Sequence, residues 1–118
     1  MNGRLFLFHW NEAEVEAHAA RLRSWGWQVD MEAQDGARGG SAVKANPPDA
    51  VVVYLTRLPS HGRETAHALR SMKATRQLPI IFVDGSGEAL EKTKVKVPDA
   101  TYAASTELRQ VLEALRSP

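Results

Sequence analysis

The sequence predicts an α/β protein in which helices cover both faces of a parallel sheet. Short, continuous apolar runs alternate about five times with segments of helical periodicity, and such runs are typical of strands buried on both faces. The chain has 118 residues, of which 43% are hydrophobic, enough for one core. Because no internal repeat and no long linker interrupts this pattern, we expect a single domain over residues 1–118.

Charge and composition exclude several classes of protein. The 15 basic and 14 acidic residues leave a formal charge of +1, which gives no strong reason to expect a nucleic-acid or membrane partner. The chain contains no cysteine, so disulfides, thiolate metal sites and cysteine nucleophiles are excluded. The apolar run before His9 is four residues long, too short for a signal peptide or a membrane span. We therefore expect a soluble, cytoplasmic protein.

The first strand and the first helix are the best-defined elements of the N-terminal half. Residues 5–8 are apolar throughout and predict a buried strand. Asn11 is a candidate N-cap, and Glu14 three residues later completes the pattern of a capping box. Gly26 is placed to end the helix. The predicted apolar stripe of this helix consists of Val15, His18, Ala19 and Leu22.

The middle of the chain predicts two further strands around a long loop. Residues 27–31 alternate as a second strand, and the glycine-rich stretch 34–48 predicts a loop with a weak, short helix over 41–45. Residues 50–55 predict a third, buried strand. The next helix is expected to follow Gly62, with these residues facing inward: Ala66, Leu69 and Met72.

The last third of the chain predicts two strands and a well-patterned helix. Residues 79–83 predict a fourth strand, 86–97 a short helix at best, and 100–103 a brief fifth strand. Ser105 is a candidate cap for the final helix. The apolar stripe of that helix consists of Leu108, Val111, Leu112 and Leu115.

At this point the sequence resembles the receiver domain of bacterial two-component response regulators, over nearly the whole chain. The resemblance is carried by the order of the elements, by PPDAVVVYLTRLP followed by Gly62, by LPIIFVDG for the fourth strand, and by Tyr102 in the fifth. It implies a flavodoxin-like, three-layer sandwich with a five-stranded parallel sheet of order 2-1-3-4-5. It also implies a role in signal transduction, with function expected at the carboxyl ends of the strands.

The positions on which the chemistry of such receivers depends have all changed in this chain. The phosphoryl-acceptor position is Tyr54 when it is counted from Gly62 and Leu55 when it is counted from Pro59. The residues at the family's functional positions are His9 and Trp10 for the acidic pair that holds Mg²⁺, Tyr54 or Leu55 for the acceptor aspartate, Asp84 for the hydroxyl residue and Ser105 for the lysine.

These changes predict a degenerate receiver, or pseudo-receiver. Mg²⁺ is held mainly by oxygen ligands, and His9 and Trp10 offer none. A phosphoryl acceptor also needs a carboxylate nucleophile, which neither Tyr54 nor Leu55 supplies. We therefore expect no phosphorylation, no enzymatic activity, no cofactor and no metal.

The leading functional hypothesis is a phosphorylation-independent protein–protein interaction module. In receivers, the face made by the fourth helix, the fifth strand and the fifth helix commonly contacts partners or another receiver. The expected partner is another signalling protein, a second receiver-like domain or, as a homodimer, a second copy of this chain. The residues expected on this face are Leu90, Lys92, Lys94, Lys96 and Tyr102.

Two alternatives stay open. A small ligand or metal ion could bind in the crevice at the strand ends, with His9, His61 and Asp84 as zinc-type ligands. A hydrolytic triad of Ser105, Asp84 and His9 is the weaker alternative, because the chain has no Gly-x-Ser-x-Gly elbow. The basic residues around the third helix do not repeat on one face, so we expect no nucleic-acid binding.

Overall fold

A computed structural model describes residues 3–116, which form a three-layer α/β sandwich. The first two and last two residues of the predicted domain lie outside the described residues. The strands are β1 (Arg4–Phe8), β2 (Gln28–Glu32), β3 (Ala50–Tyr54), β4 (Ile80–Val83) and β5 (Thr101–Ala103). The helices are α1 (Glu12–Ser24), α2 (Gly36–Ala45), α3 (Pro59–Ser71), α4 (Gly87–Lys96) and α5 (Ser105–Arg116).

The strands pair in parallel in the order β2-β1-β3-β4-β5, so the predicted fold class and strand order are confirmed. Strand β2 pairs with one edge of β1 and strand β3 with the other, so the direction of strand order reverses at β1. In open α/β sheets the crevice for ligands lies beyond the carboxyl ends of the strands at such a point. Among the described residues no helix is long and apolar enough to cross a membrane.

Burial on both faces of the sheet explains the continuous apolar strands. Every residue of β3 is buried, and its side chains alternate between two cores. Val52 and Tyr54 belong to one core, which also contains buried residues of α1 and α5. Val51 and Val53 belong to the other, which is covered by α2 and α3 and, through Leu90, by α4. A polar residue at any of these four positions would face an apolar core.

The start of α1 is only partly as the sequence predicts. The Asn11 side chain accepts a hydrogen bond from the Glu14 backbone N–H at 3.0 Å, so Asn11 is the N-cap. The Glu14 side chain does not complete the capping box and points to His9 instead. Gly26 follows the helix at φ +93°, a conformation that glycine adopts without strain.

Helix α2 is longer than predicted, because it begins at Gly36 and not at residue 41. Asp35 supplies the missing signal, since its side chain caps the helix by accepting from the Arg38 backbone N–H at 3.0 Å. The glycine-rich sequence lowers the intrinsic helix propensity. Packing offsets that loss, because Gly39 and Val43 are buried against the sheet.

Helix α3 begins earlier than predicted, and helix α4 fills most of the segment predicted for it. Helix α3 begins at Pro59, a favoured residue in the first turn, and Gly62 lies inside the helix. A Cβ at Gly62 would lie 2.7 Å from Val53 Cγ1, so the glycine lets the helix approach β3. Helix α4 has ten residues, where the sequence predicted a short helix at best.

The two adjacent glycines of α2 provide a matched test of this packing. A Cβ at Gly39 would lie 2.3 Å from Phe8 Cε1, whereas a Cβ at Gly40 meets nothing within 4 Å. We expect Gly39→Ala to lower the free energy of unfolding by about 1–3 kcal/mol through overpacking. Gly40→Ala should raise it by about 0.5–1 kcal/mol through helix propensity. Urea denaturation of both variants measures the difference, and equal effects would contradict the packing of α2 on β1.

Candidate functional site at the carboxyl edge of the sheet

The sheet register brings the ends of three strands to one edge. Phe8 pairs with Val53, and Tyr54 pairs with Val83. The next residues along β1 and β4 are His9 and Asp84, so both lie at the same edge as Tyr54. The register therefore places these three positions at one edge of the sheet.

His9 is fully buried and its ring faces α1. Its Nε2 lies 2.8 Å from Glu14 Oε1. The imidazole meets the rings of His18 and Tyr54 edge-on, with centroid distances of 4.6 and 5.4 Å. The second ring nitrogen, Nδ1, is buried without a hydrogen-bond partner. His9 is thus anchored through one nitrogen only.

Arg57, in the loop between β3 and α3, holds Glu14 from the other side. Its guanidinium donates through Nε to Oε1 at 3.1 Å and through Nη2 to Oε2 at 2.5 Å. This pair, together with the bond to His9, lowers the pKa of Glu14 to about 2. Because Glu14 is ionised at neutral pH and can only accept, His9 Nε2–H is the donor in their hydrogen bond.

His18 and Tyr54 form a neutral stack next to His9. Their ring centroids are 4.0 Å apart with an interplanar angle of 21°. Burial lowers the pKa of His18, with His9 and Arg21 adding to the effect. Burial also raises the pKa of Tyr54 to about 12. Tyr54 is therefore a neutral phenol near pH 7 and cannot supply an anionic oxygen there.

Trp10 and Leu55 lie on the opposite face of the sheet. Trp10 stacks on Phe8 with centroids 5.7 Å apart, and both residues belong to the core under α2 and α3. Leu55 belongs to the same core. Of the two acceptor positions that the sequence left open, Tyr54 is the one that faces His9.

Asp84 and Ser105 connect two loops at this edge. The Asp84 side chain accepts a hydrogen bond from the Ser105 backbone N–H at 2.7 Å. Asp84 itself has φ +58°, a left-handed conformation that aspartate adopts more readily than most residues. The Asp84 backbone N–H donates to Ala103 at 3.1 Å. The carboxylate thus joins the loop after β4 to the start of α5.

The predicted zinc-type set of His9, His61 and Asp84 does not assemble. His61 lies beside Trp10, on the other face of the sheet, with a ring-centroid distance of 5.9 Å. Within residues 3–116, the histidine and acidic side chains that do come together are those of His9, Glu14 and His18, whose ligand atoms lie within 4.8 Å of one another.

The hydrolytic triad is not formed either. Asp84 accepts from the backbone of Ser105, and His9 bonds to Glu14. Sequence reasoning missed Glu14 and His18 as site residues, because it assigned one to a capping box and the other to an apolar stripe. Their spacing of four residues was the available signal, since it places two side chains on the same helix face one turn apart.

A receiver-type Mg²⁺ ion does not fit the residues at this edge. Mg²⁺ takes oxygen ligands in near-octahedral geometry. The positions that would supply them carry a buried imidazole, an indole packed in a core and a neutral phenol. The nearby carboxylates are already bonded, Glu14 to Arg57 and Asp84 to Ser105.

The lysines of α4 do not form one continuous rim. Lys92 forms an ion pair with Glu88 at 3.0 Å, and Lys96 forms one with Glu64 of α3 at 3.3 Å. Lys94 lies on the other side of the helix, 5.6 Å from the ring centroid of Tyr102. Helical geometry separates these residues, because every second position in a helix points in a nearly opposite direction.

Leu90 and Tyr102 connect this face to the core. Leu90 is partly buried and packs against the core under α2 and α3. The Tyr102 hydroxyl donates to the Val97 carbonyl at 2.8 Å, and its ring stacks on Phe82 with centroids 5.1 Å apart. Tyr102 therefore occupies an inward position that covers the edge of the sheet.

The state of the two tyrosines is directly testable. Burial raises the pKa of both Tyr54 and Tyr102 to about 12, whereas an unfolded tyrosine ionises near about 10. The stability that the neutral phenols provide is therefore complete below about pH 10 and is lost as the pH rises toward about 12. We expect little tyrosinate absorbance in the folded protein up to about pH 11. A transition near pH 10 in folded protein, absent from Tyr54→Phe, would contradict the burial of Tyr54.

Comparisons with known proteins identify the fold. No protein-family model matches the sequence, and no curated protein matches it. A chemotaxis protein of Vibrio cholerae, CheY4, is 14% identical, with a TM-score of 0.79 and coverage of 98% of this chain and 99% of that one. The receiver domain of a Pseudomonas aeruginosa sensor histidine kinase, solved with a magnesium ion in its active-site cleft, is 24% identical, with a TM-score of 0.76 and coverage of 99% and 100%. A CheY-like receiver domain of Methylobacillus flagellatus is 19% identical, with a TM-score of 0.79 and coverage of 98% and 99%. Across its whole length, this chain has the fold of a response-regulator receiver domain.

Proposed function

We propose that this chain is a pseudo-receiver, a protein–protein interaction module of signal transduction that works without phosphorylation and without enzymatic activity of its own. One observation carries the proposal. The receiver fold is complete, but the edge where such a fold would be phosphorylated holds a neutral stack of His18 and Tyr54 beside a buried His9.

The chemistry of phosphoryl transfer supports this reading. Transfer to a receiver requires a carboxylate nucleophile and a metal ion that neutralises the developing charge. Of the two candidate acceptor positions, Leu55 is apolar, and Tyr54 has a pKa of about 12, which keeps it protonated. The Pseudomonas aeruginosa receiver coordinates magnesium in its cleft, whereas the donors at this edge do not suit that ion. The fold would then serve to present a binding surface to a partner protein.

The surface we propose for the partner is the face formed by α4, β5 and α5. Lys94 is the strongest candidate on it, because it is exposed and no ion pair among residues 3–116 neutralises it. Tyr102 lies beneath it. An acidic side chain on a signalling partner or on a second receiver-like domain would complement Lys94. Lys92 and Lys96 contribute less net charge, since each is paired with a glutamate of this chain.

An NMR titration tests the loss of phosphate chemistry. We expect the amide peaks of His9, Tyr54 and Asp84 to stay in place when Mg²⁺ and then beryllofluoride, a phosphate mimic, are added. The physical reason is the missing carboxylate at the acceptor position and the missing oxygen ligands for Mg²⁺. NaCl at matched ionic strength controls for salt effects. Saturable shifts confined to these three residues would show that the edge still binds a phosphate-like group.

Charge reversal tests the partner face. We expect Lys94→Glu to reduce recovery of native partners, or self-association, by about 10-fold, equivalent to about 1.4 kcal/mol. Lys44→Glu, which makes the same charge change at an exposed position of α2, is the matched control. Quantitative pull-down and sedimentation velocity measure the two kinds of contact. If Lys44→Glu and Lys94→Glu behave alike in both assays, the partner does not bind through this face.

A further inference from the structure

We propose that His9, Glu14 and His18 bind a divalent transition-metal ion of the zinc type. One ligand atom from each side chain lies within 4.8 Å of the other two. This inference is independent of the interaction module proposed above, because none of its three residues lies on α4, β5 or α5 and it needs no partner. It also differs from the zinc-type set that the sequence suggested, since two of the three ligands come from α1.

The donor set fits zinc better than magnesium. Two imidazoles and one carboxylate are a known set for zinc sites that keep a fourth position open to water. Zinc–ligand bonds of about 2.0–2.1 Å place tetrahedral ligand atoms roughly 3.4 Å apart. His9 Nε2 and Glu14 Oε1 are already 2.8 Å apart. Since Glu14 is only partly buried, rotation of its side chain on the surface of α1 can bring its carboxylate into place.

His9 can offer a lone pair on Nε2 to an ion at the cost of one hydrogen bond, the one to Glu14. Nε2–H now donates to Glu14, and Nδ1 has no partner. When an ion takes Nε2, the imidazole stays neutral by carrying its proton on Nδ1 instead. No other hydrogen bond of the protein is broken by that change. A buried polar atom without a partner is uncommon in folded proteins. Nδ1 has no partner in either tautomer, so the shift adds no further unpartnered atom.

The surroundings of His18 hold its ring in place. Glu14 and His18 are four residues apart on α1, so they lie one turn apart on the face that meets His9. Tyr54 stacks on the His18 ring at 4.0 Å and restricts its plane. Tyr54 is thus a positioning residue for the proposed site and not a ligand.

The charges around the site predict a competitor for the ion. Arg57 binds both oxygens of Glu14, and Arg21 is close enough to His18 to lower its pKa. Asp84 acts on His18 in the opposite direction. A metal ion must share Glu14 with Arg57 or displace it. Removing the guanidinium should therefore strengthen metal binding. If Glu14 had only a structural role, the same change would lower the stability of the fold and would not strengthen metal binding.

Calorimetry with ZnCl₂ on the untagged, full-length chain tests the site, and the visible absorption of added Co²⁺ reports its geometry. We expect one ion per chain, with four-coordinate Co²⁺ bands. His18→Gln and Glu14→Gln should each weaken binding by about 10-fold or more, and Arg57→Met should tighten it. The double variant His61→Gln/His67→Gln removes the chain's two other histidines, both exposed, and should bind like the wild type.

We expect every variant to fold, because the substituted side chains are exposed or only partly buried. Circular dichroism of each variant checks this. Absence of heat and of Co²⁺ bands with the wild-type protein would overturn the proposal. So would binding that is lost in the His61→Gln/His67→Gln variant but kept in His18→Gln, because it would assign the ion to surface histidines. Weaker binding in Arg57→Met would likewise contradict the role of Glu14 as a ligand.

Discussion

The rest of the structure depends on the burial of both faces of one parallel sheet. Because strand side chains alternate, each position along a strand belongs to one core or the other. The rule continues past the strand ends: His9 and Tyr54 turn toward α1, whereas Trp10 and Leu55 turn toward α2 and α3. The two halves of the edge are therefore chemically different: one contains the imidazoles of His9 and His18, and the other is built on the apolar side chains of Trp10 and Leu55.

The charge of Glu14 at this edge is compensated within the chain. Carboxylates gathered at one point repel each other and need a cation to stay ionised. Here one ionised carboxylate, Glu14, faces one guanidinium, Arg57, and the adjacent Tyr54 is neutral. The ion pair also ties the loop after β3 to α1. One ion pair thus provides both the charge compensation of Glu14 and the contact between this loop and α1.

The sequence pattern was sufficient to predict the fold class, because continuous apolar runs and caps such as Asn11 report local structure directly. The strand order came from the family resemblance. It was insufficient for α2, where glycines lower the helix propensity and the helix depends on tertiary packing of Gly39 and Val43. The bound of α3 was wrong because Gly62 was read as a breaker. In the structure Gly62 lies within the helix, where a Cβ would come too close to Val53.

For the site, the sequence predicted which strand ends meet but not which helix side chains reach them. His9 and Tyr54 follow from strand register alone. Glu14 and His18 do not, because each has an ordinary local explanation on α1, and only the rotation of that helix against β1 decides between the two. The contact between His18 and Tyr54 is a tertiary contact that depends on this rotation. Arg57 is still harder to assign, since a loop arginine has many partners within reach.

A ligand can shift a conformational equilibrium only through a difference in its affinity for the two states. Arg57 binds Glu14, and the Tyr102 hydroxyl donates to the Val97 carbonyl, so internal contacts hold both the loop after β3 and the strand beside α4. An ion that drew Glu14 away from Arg57 would free the loop that leads into α3. That helix contacts α4 through the pair of Glu64 and Lys96. The Arg57–Glu14 pair is therefore the contact through which an ion at the proposed site would act on α3 and α4.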